Sequence, residues 1–112
     1  MKLYLTIIFL LVFSSFAYSQ SIQLISPDWG EELEPGLSYN IRWTSEDLQN
    51  IRIEYSADNG NSWNTISSSF PAFAGSYNWY VPQIGSGQVL IRISDINNYS
   101  ISDTGSFILA SF

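Results

Sequence analysis

At 112 residues the chain has room for one domain, and a 46% hydrophobic, 16% aromatic composition gives that domain a core to bury. With no cysteine and no histidine, it lacks the side chains for disulfide frameworks, thiol nucleophiles, imidazole-dependent triads and the common zinc sites. Four basic residues against ten acidic ones, a formal net charge of -6, argue against a nucleic-acid partner, because affinity for phosphates begins with basic side chains displacing counterions.

The first nineteen residues have the pattern of an export signal. Lys2 supplies a short basic start, Leu3 to Phe13 is an uncharged apolar run broken only by Thr6, and Ala17-Tyr18-Ser19 is a small-x-small cleavage site ahead of Gln20. A membrane-spanning helix needs roughly 20 apolar residues, more than this run provides before Ser14-Ser15 interrupts it. The expectation is a cleaved signal peptide over 1–19, a single domain over 20–112, and a secreted product, extracellular or periplasmic, with no membrane attachment after cleavage. Without cysteine the lipid-modified version of such a signal is impossible, and loss of Lys2 leaves three arginines against all ten acids. A small domain without disulfides must be held by packing, and thirteen aromatic side chains follow residue 19, each able to bury roughly 150 to 250 Å².

Past the signal the hydrophobic period is two. Ile22 and Leu24 suggest a first edge strand ended by Pro27-Asp28-Trp29-Gly30. Leu37, Tyr39, Ile41 and Trp43 alternate with polar residues, as do Ile51, Ile53 and Tyr55. Trp63 and Ile66 mark a weaker strand; Tyr77, Trp79 and Val81 another; then Val89, Ile91 and Ile93; and Ser106 to Leu109 the last. Seven short strands punctuated by Pro, Gly, Asn, Asp and Ser predict an all-β, antiparallel sandwich of immunoglobulin/fibronectin-III-like type. The strand phases place Arg42, Arg52 and Arg92 on polar faces. In an immunoglobulin-like strand order Arg52 and Glu54 would face Arg92 across one outer sheet surface, read as a solvated face rather than an anionic-ligand site.

The sharpest local motif is Ser56-Ala57-Asp58-Asn59-Gly60-Asn61-Ser62-Trp63. It fits the Asp-box pattern Ser-x-Asp-x-Gly-x-Ser/Thr-Trp. In such a hairpin turn Asp58 accepts turn amides, Gly60 supplies a positive φ, Ser56 opens the clamp and Trp63 folds back beside it. A single copy cannot build the propellers in which such boxes repeat, and the later acidic ligand of a calcium loop is missing, so Ser56, Asp58, Gly60 and Trp63 are assigned to structure, with no metal and no cofactor.

The succession Ile25-Ser26-Pro27-Asp28-Trp29-Gly30-Glu31, Gly36 to Trp43, Ile53 to Trp63, Gly75-Ser76-Tyr77-Asn78-Trp79-Tyr80-Val81-Pro82, Val89 to Ile93 and Ser102-Asp103 with Phe107 resembles one family. It is the immunoglobulin-like domain named after the N-terminal part of the yeast cell-wall synthesis KRE/KNH proteins, also called the Ser-Thr-rich GPI-anchored membrane family. The resemblance runs from about Ile22 to Leu109 and implies an extracellular sandwich, here a bacterial secreted version, loosely associated with cell-wall polysaccharide. It carries over no catalytic residue. Where relatives have Asn-Gly-Gly in the first turn, this chain has Asp28-Trp29-Gly30, which puts an indole on a loop. With its own signal and no second module, the domain is expected to be either the whole product or a module of a truncated longer one.

Three functions compete on these residues. Asp28, Glu31, Glu32, Glu34, Glu46 and Asp47 all fall in expected turns without an acid/base pairing pattern and read as solvated loop charge, so no enzyme is expected. A carbohydrate-binding or wall-associated module is favoured, with Trp29, Tyr80 and Tyr99 as ligand-binding residues and Phe70 and Phe73 as further off-phase aromatics, while Trp43, Trp63 and Trp79 are assigned to the core. The alternative is a structural or adhesive protein acting on other surface proteins or on itself through its sheet edges.

Overall fold

The computed structural model describes residues 19–85 and 87–110. The segment read as a signal therefore lies, apart from Ser19, outside the described residues. Among the described residues no helix is long and apolar enough to cross a membrane.

Alternation of apolar and polar residues dictates the strands. They are β1 (Ser21–Ser26), β2 (Glu31–Leu33), β3 (Ser38–Glu46), β4 (Asn50–Ser56), β5 (Asn64–Pro71), β6 (Ser76–Tyr80), β7 (Gly87–Asp95) and β8 (Ser102–Leu109), with a 3-10 turn at Ala72–Ala74. Two sheets result, one ordered β1-β3-β6 and the other β2-β8-β7-β4-β5. This is the β-sandwich that the period-two pattern predicts.

Between the sheets lie Ile41 and Trp43 of β3 and Trp79 of β6, facing Ile51 and Ile53 of β4, Ile91 and Ile93 of β7, and Phe107 and Leu109 of β8, all buried. Each fully buried aliphatic side chain contributes roughly 1.5 to 3 kcal/mol, which is how the domain holds without cross-links. Trp79 meets Phe107 edge-on with ring centroids 5.8 Å apart. Trp43 disposes of its only polar atom by donating Nε1–H to the carbonyl of Ala72 at 2.9 Å.

Two expectations about strands change. Glu31-Glu32-Leu33, read as loop charge, forms β2, an eighth strand running parallel to β8 in the register Glu31↔Phe107 to Leu33↔Leu109. Only Leu33 is buried; at this sheet edge Glu32 stays in solvent, while the half-buried Glu31 accepts the Tyr39 hydroxyl at 2.8 Å. Phe70, read as off the core phase, packs edge-on against Trp43 and Tyr77 with centroid distances of 6.2 and 4.9 Å. The β4–β5 register shifts between Ile51 and Glu54, and this irregularity resets the phase of β5.

The chain changes sheet between β1 and β2 through the cis Ser26–Pro27 peptide. Here β1 is bound to both layers: it pairs with β3, and the Leu24 N–H donates to Asp103 Oδ2 of β8 at 2.8 Å. Gly105 of β8 permits this approach, since a Cβ there would stand 2.8 Å from Leu24 Cδ2 and 2.9 Å from the Pro27 carbonyl. One flank of the sandwich is thus closed by the crossing chain, whereas β5 and β6 end their sheets on the other flank.

Candidate functional site

On the outer face of the five-stranded sheet, the polar phases of β4 and β7 converge. Antiparallel pairing sets Glu54 opposite Arg92 and Arg52 opposite Ser94, and β7–β8 pairing sets Ser94 opposite Ser102. Arg92 donates both Nε–H and Nη2–H to Glu54 Oε1 at 3.1 and 3.0 Å, and Arg52 Nη2 lies 3.4 Å from Oε2. Glu54 is 5% exposed even though it points away from the core, because the two guanidinia cover it. Arg52 is further held by Thr65 Oγ1 at 3.1 Å and reaches the Tyr99 hydroxyl at 3.4 Å, with its Cζ 5.9 Å from that ring's centroid. The arrangement encloses a hollow of about 220 Å³ lined by Arg52, Glu54, Arg92, Ser94, Tyr99 and Ser102.

The Asp-box turn abuts this face. Ser56 Oγ donates to Asp58 Oδ1 at 2.8 Å and accepts the Gly60 N–H at 2.8 Å. Asp58 Oδ1 also accepts the Ser62 N–H at 2.8 Å, and Oδ2 accepts the Ser62 hydroxyl. The Ser62 bonds, side chain first and backbone second, hold the Asp58 carboxyl below its ordinary value of 3.8. Asn59 and Gly60 both take positive φ, 60° and 87°. Trp63 then folds back beside Gly60, and Arg92 lies over its ring at 3.9 Å from the centroid. The assignment of Trp63 to the core is therefore corrected. It is a half-buried residue of the outer face, because the turn reverses its direction before β5 begins.

Trp29, Tyr80 and Tyr99 are 65%, 64% and 60% exposed, and the fold keeps them apart. Trp29 sits on the β1–β2 crossing, in a turn closed by Glu31 N–H donating to the Asp28 carbonyl at 3.1 Å. Tyr80 ends β6 opposite Ser38, beside an open groove of about 440 Å³ lined by Tyr55, Thr65, Ile66, Tyr77, Trp79 and Pro82 among others. Tyr99 lies in the β7–β8 loop, at the opposite end of the sandwich from Tyr80 by strand register. Phe73, on the 3-10 turn, is also exposed.

Sequence reasoning placed Arg52, Glu54 and Arg92 on one surface but read it as solvated. It missed the burial of Glu54 and the part taken by Tyr99, Ser94 and Ser102. The available signal was that two of the three arginines beyond residue 19 occupy matching phases of strands expected to be neighbours. Among the described residues no group of three His, Cys, Asp or Glu could hold a metal ion.

No protein-family model matches the chain, and a search of curated proteins finds no match. Solved structures do share the fold. The X-ray structure of the endo-beta-1,4-mannanase from Thermotoga petrophila superposes with TM-score 0.58 at 10% identity, over 88% of this chain and 21% of that one. Fibronectin(III)-like modules of Clostridium thermocellum CbhA superpose with TM-score 0.56 at 16% identity, over 85% of this chain and 48% of theirs. The chain thus spans about a fifth of the first and about half of the second, and at these identities the likeness establishes the sandwich fold.

Proposed function

We propose that this chain is a non-catalytic, secreted immunoglobulin-like module that associates with cell-surface or cell-wall polysaccharide. The observation that carries the reading is the surplus of aromatic surface. The core is filled by Trp43, Trp79 and Phe107, yet Trp29, Tyr80 and Tyr99 stand in solvent on loops and a strand end. Rings that stand in solvent are open to a ligand, and flat aromatic faces suit stacking on sugar rings. A similar fold forms part of an endo-beta-1,4-mannanase, and the strand motifs resemble the KRE/KNH-type domain, a resemblance that implies association with wall polysaccharide.

The test is retention of the whole protein on insoluble glucan, mannan and chitin. Trp29→Ala, Tyr80→Ala and Tyr99→Ala are expected to fold normally. At least one should weaken retention by roughly 1 to 3 kcal/mol, by analogy with the loss when a base is deprived of its aromatic stacking partner. Wild-type protein that no polymer retains would overturn the reading. One observation favours contact with proteins instead: β5 and β6 leave two unpaired sheet edges on the same flank, beside the aromatic groove. Concentration-dependent sedimentation that Tyr80→Ala abolishes, with no polymer bound, would select that function.

A further inference from the structure

We infer that the hollow on the outer face of the five-stranded sheet binds a carboxylate-bearing sugar, a uronate residue of an acidic polysaccharide. The inference rests on the polysaccharide reading and names its ligand class and site.

Charge is the first argument. Two guanidinia share one buried carboxylate, so the hollow holds one unit of uncompensated positive charge in a protein whose total is strongly negative. Among the described residues no acid other than Glu54 lines it: Asp103 is turned to the β1 edge, where it accepts the Leu24 N–H, Asp95 lies on the inward phase of β7 with Ile91 and Ile93, and Asp58 is bonded to Ser56 and Ser62 within its own turn. Screening limits a charge to about 8 Å at physiological ionic strength, so the guanidinia in contact outweigh the chain's total.

Geometry is the second. Arg92 spends Nε and Nη2 on Glu54 and keeps Nη1 for a further acceptor, while Arg52 Nη1 makes only the long 3.4 Å contact to the Tyr99 hydroxyl. Guanidinium forks suit the planar carboxylate. The hydroxyls of Ser94 and Ser102, neighbours across β7–β8, face the same space and suit the remaining sugar hydroxyls. Tyr99 offers its exposed ring as a stacking wall. A volume of about 220 Å³ accommodates one sugar residue of a chain rather than an extended segment.

The experiment is affinity electrophoresis of the whole protein in gels containing polygalacturonate, its methyl ester, or a neutral glucan or mannan. Masking the carboxylates changes the charge and leaves the sugar backbone. The expected result is at least tenfold stronger retardation by polygalacturonate than by the ester, weakened by added salt. The exposed Ser102→Glu, which places a second carboxylate over the hollow without touching Glu54, should abolish that retardation while leaving the melting temperature within a few degrees. Equal retardation by the ester, or an unaffected Ser102→Glu protein, overturns the inference. Retardation by a neutral polymer alone overturns it while the wider reading survives, and retention by no polymer overturns both. Free galacturonate should compete far better than acetate; equal competition would show a bare carboxylate site and overturn the sugar assignment.

Discussion

Glu54 is where the outer face is most exposed to a test. Replacing it by Gln keeps the shape and one acceptor for Arg92 but removes the charge and turns an amide N–H₂ toward one of the guanidinia. Three contacts depend on the carboxylate, at 3.0, 3.1 and 3.4 Å. Hydrogen bonds to charged groups are worth about 1.5 to 3 kcal/mol, and removing one member of a fully buried pair costs about 3 to 5. Here only the acid is buried; the arginine side chains are 33% and 34% exposed and can swing into water once released. The loss for Glu54→Gln should therefore be roughly 1.5 to 3 kcal/mol, below the fully buried range. Urea unfolding followed by tryptophan fluorescence measures it, and the native signal should shift as well, because Arg92 no longer stays on the Trp63 ring. Arg92→Gln should cost more than Arg52→Gln, since Arg92 makes the shorter contacts and the stack. A Glu54→Gln protein within about 0.5 kcal/mol of wild type, the range of ordinary surface changes, would refute the claim that this acid ties β4 to β7.

Four other substitutions or titrations probe separate parts of the molecule. Ser56→Ala removes the buried hydroxyl that serves both Asp58 and Gly60, and should lower unfolding free energy by about 1 to 3 kcal/mol in a urea titration. The lowered carboxyl of Asp58 gives the turn a stabilisation that is complete above the ordinary value of 3.8 and lost as the pH falls below it; Asp58→Asn should flatten that acid limb of a melting-temperature profile. Gly105→Ala should destabilise by about 1 to 3 kcal/mol, because its methyl meets the Pro27 carbonyl as well as Leu24; a neutral result in thermal melts would show that β1 can lift from β8 freely. Burial raises the Tyr39 phenol from 10.0 to about 12, with the Glu31 carboxylate adding to the shift. Its stabilisation is complete below pH 10 and disappears as the pH rises to about 12, so ultraviolet titration should show one tyrosine ionising last and Tyr39→Phe should remove that step.

The sandwich was legible because burial on one face imposes a period of two wherever a strand is long enough to show it. Val89, Ile91 and Ile93 alternate with Leu90 and Arg92 over five of the nine residues of β7, and every one of the three is buried. β2 was not legible, since three residues carry less than two periods and its glutamates are permitted by the edge rather than by any inward face. Phe70 and Trp63 failed for a related reason. A bulge shifts the phase of β5, and a turn with two positive-φ residues reverses Trp63, and neither change in direction leaves a hydrophobicity signal. The hollow was half legible: strand phase brings Arg52, Glu54 and Arg92 together, but Tyr99 joins them only through the path of the β7–β8 loop.

The parallel pairing of β2 with β8 also decides how the domain bears load. The two strands lie near opposite ends of the sandwich's sequence and point the same way, with the Ala110 N–H donating to the Leu33 carbonyl at 2.9 Å beyond the last pair. Tension between the chain ends reaches β2 only once β1, which pairs with β3 and is tied to Asp103 of β8, has let go; it then draws β2 back along its own axis and β8 forward along its own. The hydrogen bonds between them are then sheared together instead of being unzipped singly. A domain pulled between its two ends would resist there as a clasp, formed at the shortest strand of the fold.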